Sequence, residues 1–301
     1  MKTICIVILN YNNYEDTIEC VSSLQMAIDP AKYDIVIVDN NSNNDSISIM
    51  QNKLNGVTFI QSNQNRGYAY GNNLGIQYAK KEGYEYICVL NNDTIITEDF
   101  LDICIGYLES HKETVFVSPT LLDYDRSHRV QSTGGDIYVS KGYVNLKNNG
   151  KFLNELPPIV ESDYIGGACM VFPVKVVETI GYIPEAYFLF FEETEWCYKA
   201  KVAGYKNICL TNTYIYHKGS VSIKAVSGLQ EYLMERNRVV FVKRNSRTRL
   251  GYYRFLIYLL LRTTVRFCMG KEKNLKKYRY YFDGVFNRID KRFPFICFGS
   301  K

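Results

Sequence analysis

The first 120 residues alternate short apolar runs with stretches of helical spacing, and this alternation constrains the fold more than any other feature of the chain. The apolar runs are four to seven residues long, which is typical of parallel strands buried on both faces of a sheet. We therefore predict an α/β fold with a doubly wound sheet and flanking helices. The predicted strands are 3–9, 34–38, 57–60 and 86–90, and the predicted helices between them are 14–26, 46–54 and 71–82.

Polar loops follow all four predicted strands at their carboxyl ends. They contain Asn10-Tyr11-Asn12, Asp39-Asn40-Asn41-Ser42, residues 63–67 and Asn91-Asn92-Asp93. Because the ligand crevice of a doubly wound sheet lies at the carboxyl ends of its strands, we expect these loops to converge on one site. The chain has no GxGxxG motif and no GxxxxGK followed by Ser or Thr, which argues against a dinucleotide-dependent dehydrogenase and a P-loop protein.

Asp93 comes directly after an apolar strand, beside Asn91 and Asn92. A carboxylate among amide oxygens offers the hard ligands that Mg²⁺ or Mn²⁺ prefers, and such an ion can bridge two phosphates. The alternative is that Asp93 only caps the helix predicted around Phe100. Both interpretations are compatible with the sequence.

Three glutamates, Glu192, Glu193 and Glu195, lie at a predicted helix start between the aromatic-rich run 187–191 and Trp196. Acidic residues are common in a first helical turn because the positive end of the helix dipole stabilises them. A carboxylate that emerges from an aromatic wall can also have a raised pKa, which suits a general base. The sequence leaves both explanations open.

His217 is one of three histidines and follows the tyrosine-rich run 214–216 near a predicted strand end. A lone histidine is usually structural. Its place, like that of the polar loops, leaves a metal or phosphate ligand as the second interpretation.

Nine cysteines are spread along the chain without a CxxC pair, and most lie inside apolar runs. This usage predicts buried thiols in a reducing compartment, which indicates a cytoplasmic protein. The N-terminal apolar run is too short for a signal peptide and lacks a small-residue cleavage site.

The C-terminal part of the chain is strongly basic. Residues 236–301 contain 18 Lys and Arg against 3 Asp and Glu, interleaved with many aromatic residues. The stretch predicts an amphipathic helix on a membrane surface, with Leu256, Leu259, Leu260 and Thr263 on one face and arginines on its flanks. The alternative is a solvated helical hairpin packed on the body. No nucleic-acid-binding motif accompanies the basic residues.

Seven motifs stand in a fixed order between residue 3 and about residue 245. They are Ile8-Leu9-Asn10-Tyr11-Asn12, Val38-Asp39-Asn40-Asn41-Ser42, Asn65-Arg66-Gly67 with Gly71-Asn72-Asn73, Leu90-Asn91-Asn92-Asp93, Gly166-Gly167-Ala168, Glu192-Glu193 and His217. In this order they resemble the family 2 glycosyltransferases of the GT-A fold. The subgroup most closely resembled is the rhamnosyltransferase-like enzymes of bacterial surface polysaccharide synthesis.

The resemblance implies a role for the residues on the nucleotide side. Asn10 and Tyr11 would line the base and ribose pocket. Asp39 would accept a hydrogen bond from the N3 proton of uracil or thymine. The residues near the nucleotide phosphates would be Arg66, Asn72 and Asn73.

The resemblance also implies the reacting groups. Asp93 would bind Mg²⁺ or Mn²⁺, His217 would complete the metal or diphosphate environment, and Glu193 would deprotonate the acceptor hydroxyl. The residues that would leave room for the donor sugar and the acceptor are Gly166, Gly167 and Ala168, with Glu192 beside them.

Two positions depart from the family pattern. Asn91 replaces the first aspartate of the DxD-like motif, and Glu193 stands where the family usually has aspartate, so that Glu192 or Glu195 could share its role. These departures make a non-catalytic sugar-nucleotide or glycan-binding module the alternative to an enzyme.

The resemblance therefore implies an inverting, metal-dependent transferase that moves a sugar from a UDP- or dTDP-sugar to a glycan or a polyprenyl-diphosphate-linked glycan in cell-surface polysaccharide synthesis. We expect a GT-A domain over 1–245, with a nucleotide-binding half at 1–120 and an acceptor-side half at 121–245, followed by a basic helical tail over 246–301. The expected location is the cytoplasm, peripheral on the inner face of the bacterial cell membrane. A homodimer is compatible with this interpretation, and we expect no nucleic-acid partner.

Overall fold

The computed structural model describes residues 3–125, 128–219, 227–293 and 296. The strands in these ranges are β1 (Ile4–Asn10), β2 (Tyr33–Asp39), β3 (Val57–Gln61), β4 (Tyr86–Asn91), β5 (Thr94–Ile95), β6 (Thr114–Asp123), β7 (Val130–Ser132), β8 (Gly135–Tyr138), β9 (Tyr143–Leu146), β10 (Ile159–Ser162), β11 (Cys169–Pro173) and β12 (Lys206–His217). The α-helices are α1 (Tyr14–Ala27), α2 (Ser46–Lys53), α3 (Tyr68–Glu82), α4 (Phe100–Ser110), α5 (Val176–Ile180), α6 (Glu192–Val202), α7 (Leu229–Asn245), α8 (Arg249–Cys268) and α9 (Lys276–Phe286). Short 3₁₀ helices span Val139–Lys141 and Leu153–Glu155.

Ten of the described strands form one sheet in the order β10-β12-β6-β11-β4-β1-β2-β3, with β5 paired to β12 and β7 paired to β6. The β4-β1-β2-β3 part is parallel throughout, and β12 runs parallel to β6. Strand β11 is antiparallel to both of its neighbours, β4 and β6. The predicted α/β class with flanking helices around a mostly parallel central sheet is confirmed, and each of the four predicted strands is correct to within one residue at either end.

The sheet is covered by helices on both faces, which is why its strands are apolar on both sides. Helices α1, α2 and α4 pack on one face through side chains such as Leu24, Met50 and Phe100. Helices α3, α5 and α6 pack on the other face, where Trp196 is fully buried against Phe116 and Phe172. These two layers hold the carboxyl ends of the central strands in fixed positions.

The expected chain divisions are at residues 120 and 245. Residue 120 lies inside β6 (Thr114–Asp123), so the nucleotide-binding half and the acceptor-side half contribute strands to the same sheet. Residue 245 is the last residue of α7, which packs against α9 of the basic tail.

The tail packs on the body through the face that the sequence pattern assigned to a membrane, and that assignment was wrong. Leu259 and Thr263 of α8 are buried, and Leu256 and Leu260 pack against a cluster that includes Val239 of α7. Helix α7 supplies an apolar surface that these side chains cover. The described residues contain no helix that is long and apolar enough to cross a bilayer.

The prediction of buried thiols is correct for seven of the eight described cysteines. Cys268, the last residue of α8, is exposed, so the prediction is wrong for this residue. Cys297 lies outside the described residues.

Substitutions on the packed face of α8 should lower the free energy of unfolding much more than substitutions on its outward face. We expect Phe255→Ala or Leu259→Ala to lower the free energy of unfolding by about 2–5 kcal/mol, because both side chains are buried against α7. Ile257→Ala or Leu261→Ala, two positions further along on the outward face, should change it by less than about 0.5 kcal/mol. Urea unfolding of the full chain measures both pairs. Equal effects for the two pairs would show that α8 does not pack in this orientation.

Candidate active site

The carboxyl ends of β1 and β2 are joined by a buried hydrogen-bond network around Asp39. Asn10 Nδ2 and Ser42 Oγ donate to Asp39 Oδ2 at 2.8 and 2.6 Å, and the Ser42 N–H donates to Asp39 Oδ1 at 2.9 Å. Thr17 Oγ1, from α1, donates to Asn10 Oδ1 at 2.9 Å. About four acceptor positions belong to a carboxylate, so one position remains at Oδ1. The ring of the adjacent Tyr11 is 38% exposed.

Gly67 is the point where the loop after β3 touches the segment before α6. Its φ of +88° is left-handed, and a Cβ at this position would lie 1.9 Å from the Phe188 carbonyl oxygen. The Tyr68 N–H, at the start of α3, donates to the same oxygen at 2.8 Å. From the other side, Asn40 Nδ2 donates to Gly67 O at 3.1 Å, and the Gly67 N–H donates to Asn65 Oδ1 at 2.9 Å. Only glycine fits this junction.

Asn72 and Asn73, both predicted near the phosphates, have different roles in the structure. Asn73 Nδ2 donates to Ile183 O at 2.9 Å and Asn73 Oδ1 accepts from the Ile183 N–H at 3.0 Å, so this residue holds the segment before α6. Asn72 Nδ2 donates to Tyr68 O at 3.0 Å, while the buried Asn72 Oδ1 has no hydrogen-bond partner among the described residues. A free oxygen acceptor suits a ligand hydroxyl rather than a phosphate oxygen.

Arg66 lies beside the same segment. Its guanidinium is 3.4 Å from Glu185 Oε2 and stacks on the Tyr70 ring with 4.5 Å to the centroid. A guanidinium has five N–H donors, so these contacts leave donors for a phosphate.

Strand β12 carries His217 to the end of β4. Antiparallel pairing with β5 sets His217 opposite Thr94, and this places His217 Nε2 at 3.2 Å from Asp93 Oδ1. The Lys218 N–H donates to Asp93 O at 2.9 Å and holds the two chain segments together. His217 Nε2 is buried and has no hydrogen-bond partner among the described residues. The predicted pair of metal ligands is thus brought together from distant parts of the chain.

Gln131 of β7 determines which nitrogen of a neutral His217 carries the proton. Gln131 Nε2 donates to His217 O at 2.8 Å, which fixes the amide orientation because a carbonyl only accepts. Gln131 Oε1, 2.9 Å from His217 Nδ1, then accepts the Nδ1–H. The lone pair of Nε2 therefore faces the carboxylate of Asp93. Such an outer hydrogen bond orients a histidine toward a metal ion, and a cation between the two acceptors would remove their repulsion.

A metal ion at this place would still need further ligands. Across residues 3–125, 128–219, 227–293 and 296, no group of three or more His, Cys, Asp or Glu side chains is arranged to hold one. Mg²⁺ usually takes one or two protein carboxylates together with substrate phosphates and water. The Asp93–His217 pair fits an ion whose remaining ligands come from a nucleotide and solvent.

Glu193, in the first turn of α6, lies against the 166–168 segment. Its Oε1 accepts a hydrogen bond from the Tyr164 hydroxyl at 3.1 Å, while its buried Oε2 has no hydrogen-bond partner among the described residues. A Cβ on Gly167 would lie 3.6 Å from Glu193 Cγ, and Gly167 O accepts from the Tyr68 hydroxyl at 2.7 Å. The Asn91 N–H donates to Ala168 O at 2.9 Å, which links this segment to the end of β4.

Glu192 and Glu193 both hold their protons more tightly than an ordinary glutamate. Burial raises the pKa of Glu193 and raises that of Glu192 well above its usual range, and the neighbouring Glu193 charge adds to the effect on Glu192. Hydrogen bonds from backbone groups and from Tyr164 oppose the rise at Glu193. The pair combines one strongly protonated carboxyl with one whose pKa is raised toward the range of a general base.

Glu195 is a structural residue. Its carboxylate is buried and receives hydrogen bonds from Tyr187 and from Arg244, whose Nε lies 2.8 Å from Glu195 Oε2. Burial acts to raise the pKa of Glu195, but the bonds from Arg244 and Tyr187 outweigh it and the pKa is lowered. Glu195 is therefore committed to an ion pair and not available to share the role of Glu193.

The segment before α6 is strained. Phe188, Phe190 and Phe191 have φ values of 73°, 68° and 77°, a left-handed conformation that costs roughly 1–3 kcal/mol for each such residue. Asn237 of α7 holds the segment, because its Nδ2 donates to Leu189 O at 2.7 Å and to Phe190 O at 3.1 Å. Backbone strain of this kind is concentrated at functional sites.

A cavity of about 320 Å³ opens beside Glu193. The β8–β9 hairpin, Phe190 and α7 form its walls, with Tyr143 and Leu146 from the hairpin and Met234 from α7. Glu193, whose Oε2 has no hydrogen-bond partner among the described residues, is one of the residues that line this cavity.

Residues 5–180, more than half of the chain, match the sequence profile of Glycosyl transferase family 2. The chain belongs to this family. It is similar to the low-salt glycan biosynthesis hexosyltransferase Agl10 of Haloferax volcanii, with 29% identity over 251 residues that cover 82% of this chain and 76% of that protein. It is also similar to the dTDP-rhamnosyl transferase RfbF of Shigella flexneri, with 24% identity over 255 residues that cover 79% of this chain and 80% of that protein.

Solved glycosyltransferases share the fold. S. aureus TarS 1-349 matches with a TM-score of 0.56 and 16% identity over 95% of this chain and 79% of that chain. GalNAc-T7 crystallised with UDP, GalNAc and Mn²⁺ matches with a TM-score of 0.61 and 16% identity over 81% of this chain and 48% of that chain. The predicted family and GT-A fold are confirmed, and the curated relatives support the rhamnosyltransferase-like subgroup.

Sequence reasoning missed several residues that shape this site. Tyr164 contacts Glu193, and Gln131 contacts His217. Ser42 belongs to the motif Val38-Asp39-Asn40-Asn41-Ser42, but the sequence assigned it no role, and in the structure it donates to Asp39. Tyr164 precedes the Gly166-Gly167 motif and carried a local signal. Gln131 lies in a short strand and carried none.

The Glu195–Arg244 pair gives stability a defined pH dependence. We expect Arg244→Leu to lower the free energy of unfolding at pH 7 by about 2–3 kcal/mol, because it leaves the buried Glu195 carboxylate without its cation. The expected loss is smaller than for a fully buried ion pair because the Arg244 side chain is 43% exposed. The pKa of Glu195 is lower in the folded chain than in the unfolded chain, where it is about 4.3. The ionised Glu195 therefore stabilises the native chain above about pH 4.3, and this contribution is lost as pH falls through the pKa of the folded state.

The difference between the native chain and Arg244→Leu, measured by urea unfolding, should therefore be smaller at pH 3 than at pH 7. Lys199→Met is the matched control, since Lys199 lies 3.6 Å from Glu195 and is partly exposed. A loss for Arg244→Leu that is the same at both pH values would contradict the assigned ion pair.

Proposed function

We propose that this family 2 glycosyltransferase moves a sugar from a UDP- or dTDP-sugar to an acceptor hydroxyl with inversion, and that Glu193 is the general base. The observation that carries the proposal is that Glu193, whose buried Oε2 has no hydrogen-bond partner among the described residues, is one of the residues lining a cavity. The 166–168 segment beside Glu193 is bonded to the end of β4, two residues before Asp93. The proposed base and the proposed diphosphate-binding pair therefore both lie near the carboxyl end of β4.

The nucleotide is proposed to lie over the ends of β1 and β2. The remaining acceptor position of Asp39 would take the N3 proton of uracil or thymine, a contact that disfavours cytosine because its N3 carries no proton. Tyr11 supplies an exposed ring beside the proposed base pocket. The unpartnered Asn72 Oδ1 would accept a hydrogen bond from a hydroxyl of the nucleotide-sugar. S. aureus TarS 1-349 crystallised in complex with UDP and with UDP-GlcNAc has the same fold.

Mg²⁺ or Mn²⁺ is proposed to be held by Asp93 and His217. When bound, the ion would neutralise the charge that develops on the departing diphosphate. The residues of this chain prepare that place: Gln131 orients His217, and Arg66 would add positive charge near the phosphates.

Glu193 is proposed to act in a single displacement. Its carboxylate takes the proton from the acceptor hydroxyl, the acceptor oxygen forms a bond to the anomeric carbon, and the bond from that carbon to the diphosphate oxygen breaks. The nucleoside diphosphate leaves with the bonding electrons. Tyr164 holds the carboxylate toward the cavity, and Gly167 leaves the space between this base and Tyr68 unobstructed.

The acceptor is proposed to be a glycan or a polyprenyl-diphosphate-linked glycan in cell-surface polysaccharide synthesis, at the inner face of the bacterial membrane. The names of the two relatives, one a glycan biosynthesis hexosyltransferase and one a dTDP-rhamnosyl transferase, support a glycan product. The cavity beside Glu193 has aromatic and aliphatic walls that suit the apolar face of a sugar ring.

Release of nucleoside diphosphate tests the reaction. With a panel of UDP-, dTDP- and GDP-sugars, Mg²⁺ or Mn²⁺, and a lipid extract as the source of acceptor, we expect release from one UDP- or dTDP-sugar. Glu193→Gln should lower the rate about 10²–10⁴-fold with little change in donor KM, and Asp93→Asn should remove the response to metal. Glu161→Gln, an exposed glutamate on β10, is the matched control. Binding of UDP or dTDP without any turnover would instead identify a sugar-nucleotide-binding module.

The raised pKa of Glu193 predicts the pH profile. The acid limb of kcat/KM should lie above about 4.3, the ordinary glutamate value, because burial raises the pKa of this base. Tyr164→Phe removes a hydrogen bond that lowers the Glu193 pKa, so it should move the limb to still higher pH. Initial rates at fixed donor and acceptor measure both profiles. An acid limb that Tyr164→Phe does not move would assign the limb to another group.

A further inference from the structure

The outward face of α8 is apolar. Leu250, Tyr253, Ile257, Leu261 and Val265 are each between 54% and 61% exposed. They are spaced three or four residues apart, so they form one stripe along the helix. A solvated helix normally presents polar side chains on this side, and a contiguous exposed apolar stripe marks an interaction surface.

The segment of the sequence that carries this stripe is rich in positive charge. Residues 236–271 contain ten Lys and Arg and no Asp or Glu. By helical spacing, Arg254 lies within the stripe and Arg249 and Arg262 lie at its edges. The arginines of α8 are exposed, and none of them forms an ion pair with a residue that the structure describes.

The charge pattern distinguishes the two occupants that an apolar stripe can have. A second copy of this chain docked through α8 would bring two basic stripes together, and neither stripe contains an acidic residue that could compensate the other. An anionic lipid surface neutralises the arginines and buries the apolar side chains, which is how basic amphipathic helices bind in the headgroup region.

We propose that the outward face of α8, the stripe Leu250–Tyr253–Ile257–Leu261–Val265 with its flanking arginines, lies in the headgroup region of an anionic bilayer. This proposal rests on the membrane location proposed above and assigns the contact to one helix face. The inward face of α8 packs on α7, which lines the cavity beside Glu193. Docking therefore holds the acceptor cavity next to the lipid surface.

Vesicle co-sedimentation of the full chain tests the proposal. We expect binding to vesicles with equal parts phosphatidylglycerol and phosphatidylcholine, little binding to phosphatidylcholine alone, and weakening with salt. Ile257→Asp/Leu261→Asp should lower the partition coefficient by at least about 100-fold, since two buried apolar side chains are lost. The control Met26→Asp/Val202→Asp changes residues that are 83% and 69% exposed on α1 and α6, and it should bind as the native chain does.

A fluorescence measurement makes the result independent of the aspartate variants. The chain has one tryptophan, and it is buried, so Tyr253→Trp adds a surface probe whose emission should shift to shorter wavelength on the anionic vesicles. Equal binding by the native chain and the α8 aspartate variant, or no shift at position 253, would overturn the proposal. A native dimer that Ile257→Asp/Leu261→Asp converts to a monomer would also overturn it and identify a second copy as the occupant.

This test is separable from that of the proposed reaction. Donor turnover without lipid should be equal in the native chain and the α8 variant. A chain that turns over donor but ignores vesicles contradicts only the docking surface, whereas a chain that binds vesicles and turns over no donor contradicts only the reaction.

Discussion

The site depends on one antiparallel strand. Strand β11 lies between β4 and β6, and its pairing with β4 sets the residues before it, Gly167 and Ala168, against the end of β4. Glu193 reaches the cavity beside Gly167, and Asp93 follows β4 directly. Because β11 is buried between two strands, its position cannot shift without breaking both ladders. The distance between Glu193 and the Asp93–His217 pair is thus determined by the core.

Strain near Glu193 is balanced by specific contacts. Phe188, Phe190 and Phe191 hold left-handed backbone conformations, and the carbonyl of Phe188 lies close to Gly67 because that residue has no side chain. Asn237 bonds the same segment from α7, the helix on which the basic tail packs. The C-terminal helices therefore contribute to the geometry of the active site as well as to a surface. A truncation that removed them would be expected to disturb Glu193.

Much of the fold was predictable from local sequence, and the parts that were not have physical reasons. Buried parallel strands and the polar residues after them leave a local pattern, so Asn10, Asp39 and Asp93 could be predicted to lie at the same edge of the sheet. The approach of His217 to Asp93 depends on pairing between β12 and β5, a contact between distant segments with no local signal. The sequence pattern assigned the packed face of α8 to a membrane because both sides of that helix are apolar, and periodicity alone cannot show which side α7 covers.

A single inverting displacement assisted by Glu193 is proposed for this enzyme, and the stereochemistry of the released sugar distinguishes it from a retaining reaction. In the absence of acceptor, water can occupy the cavity and be deprotonated by the same carboxylate. Proton NMR recorded in the first minutes of slow donor hydrolysis reports the anomer before mutarotation. Inversion gives the anomer opposite to that of the donor, and formation of this anomer should be lost in Glu193→Gln. Release of the same anomer as in the donor, or unchanged hydrolysis by Glu193→Gln, would contradict it.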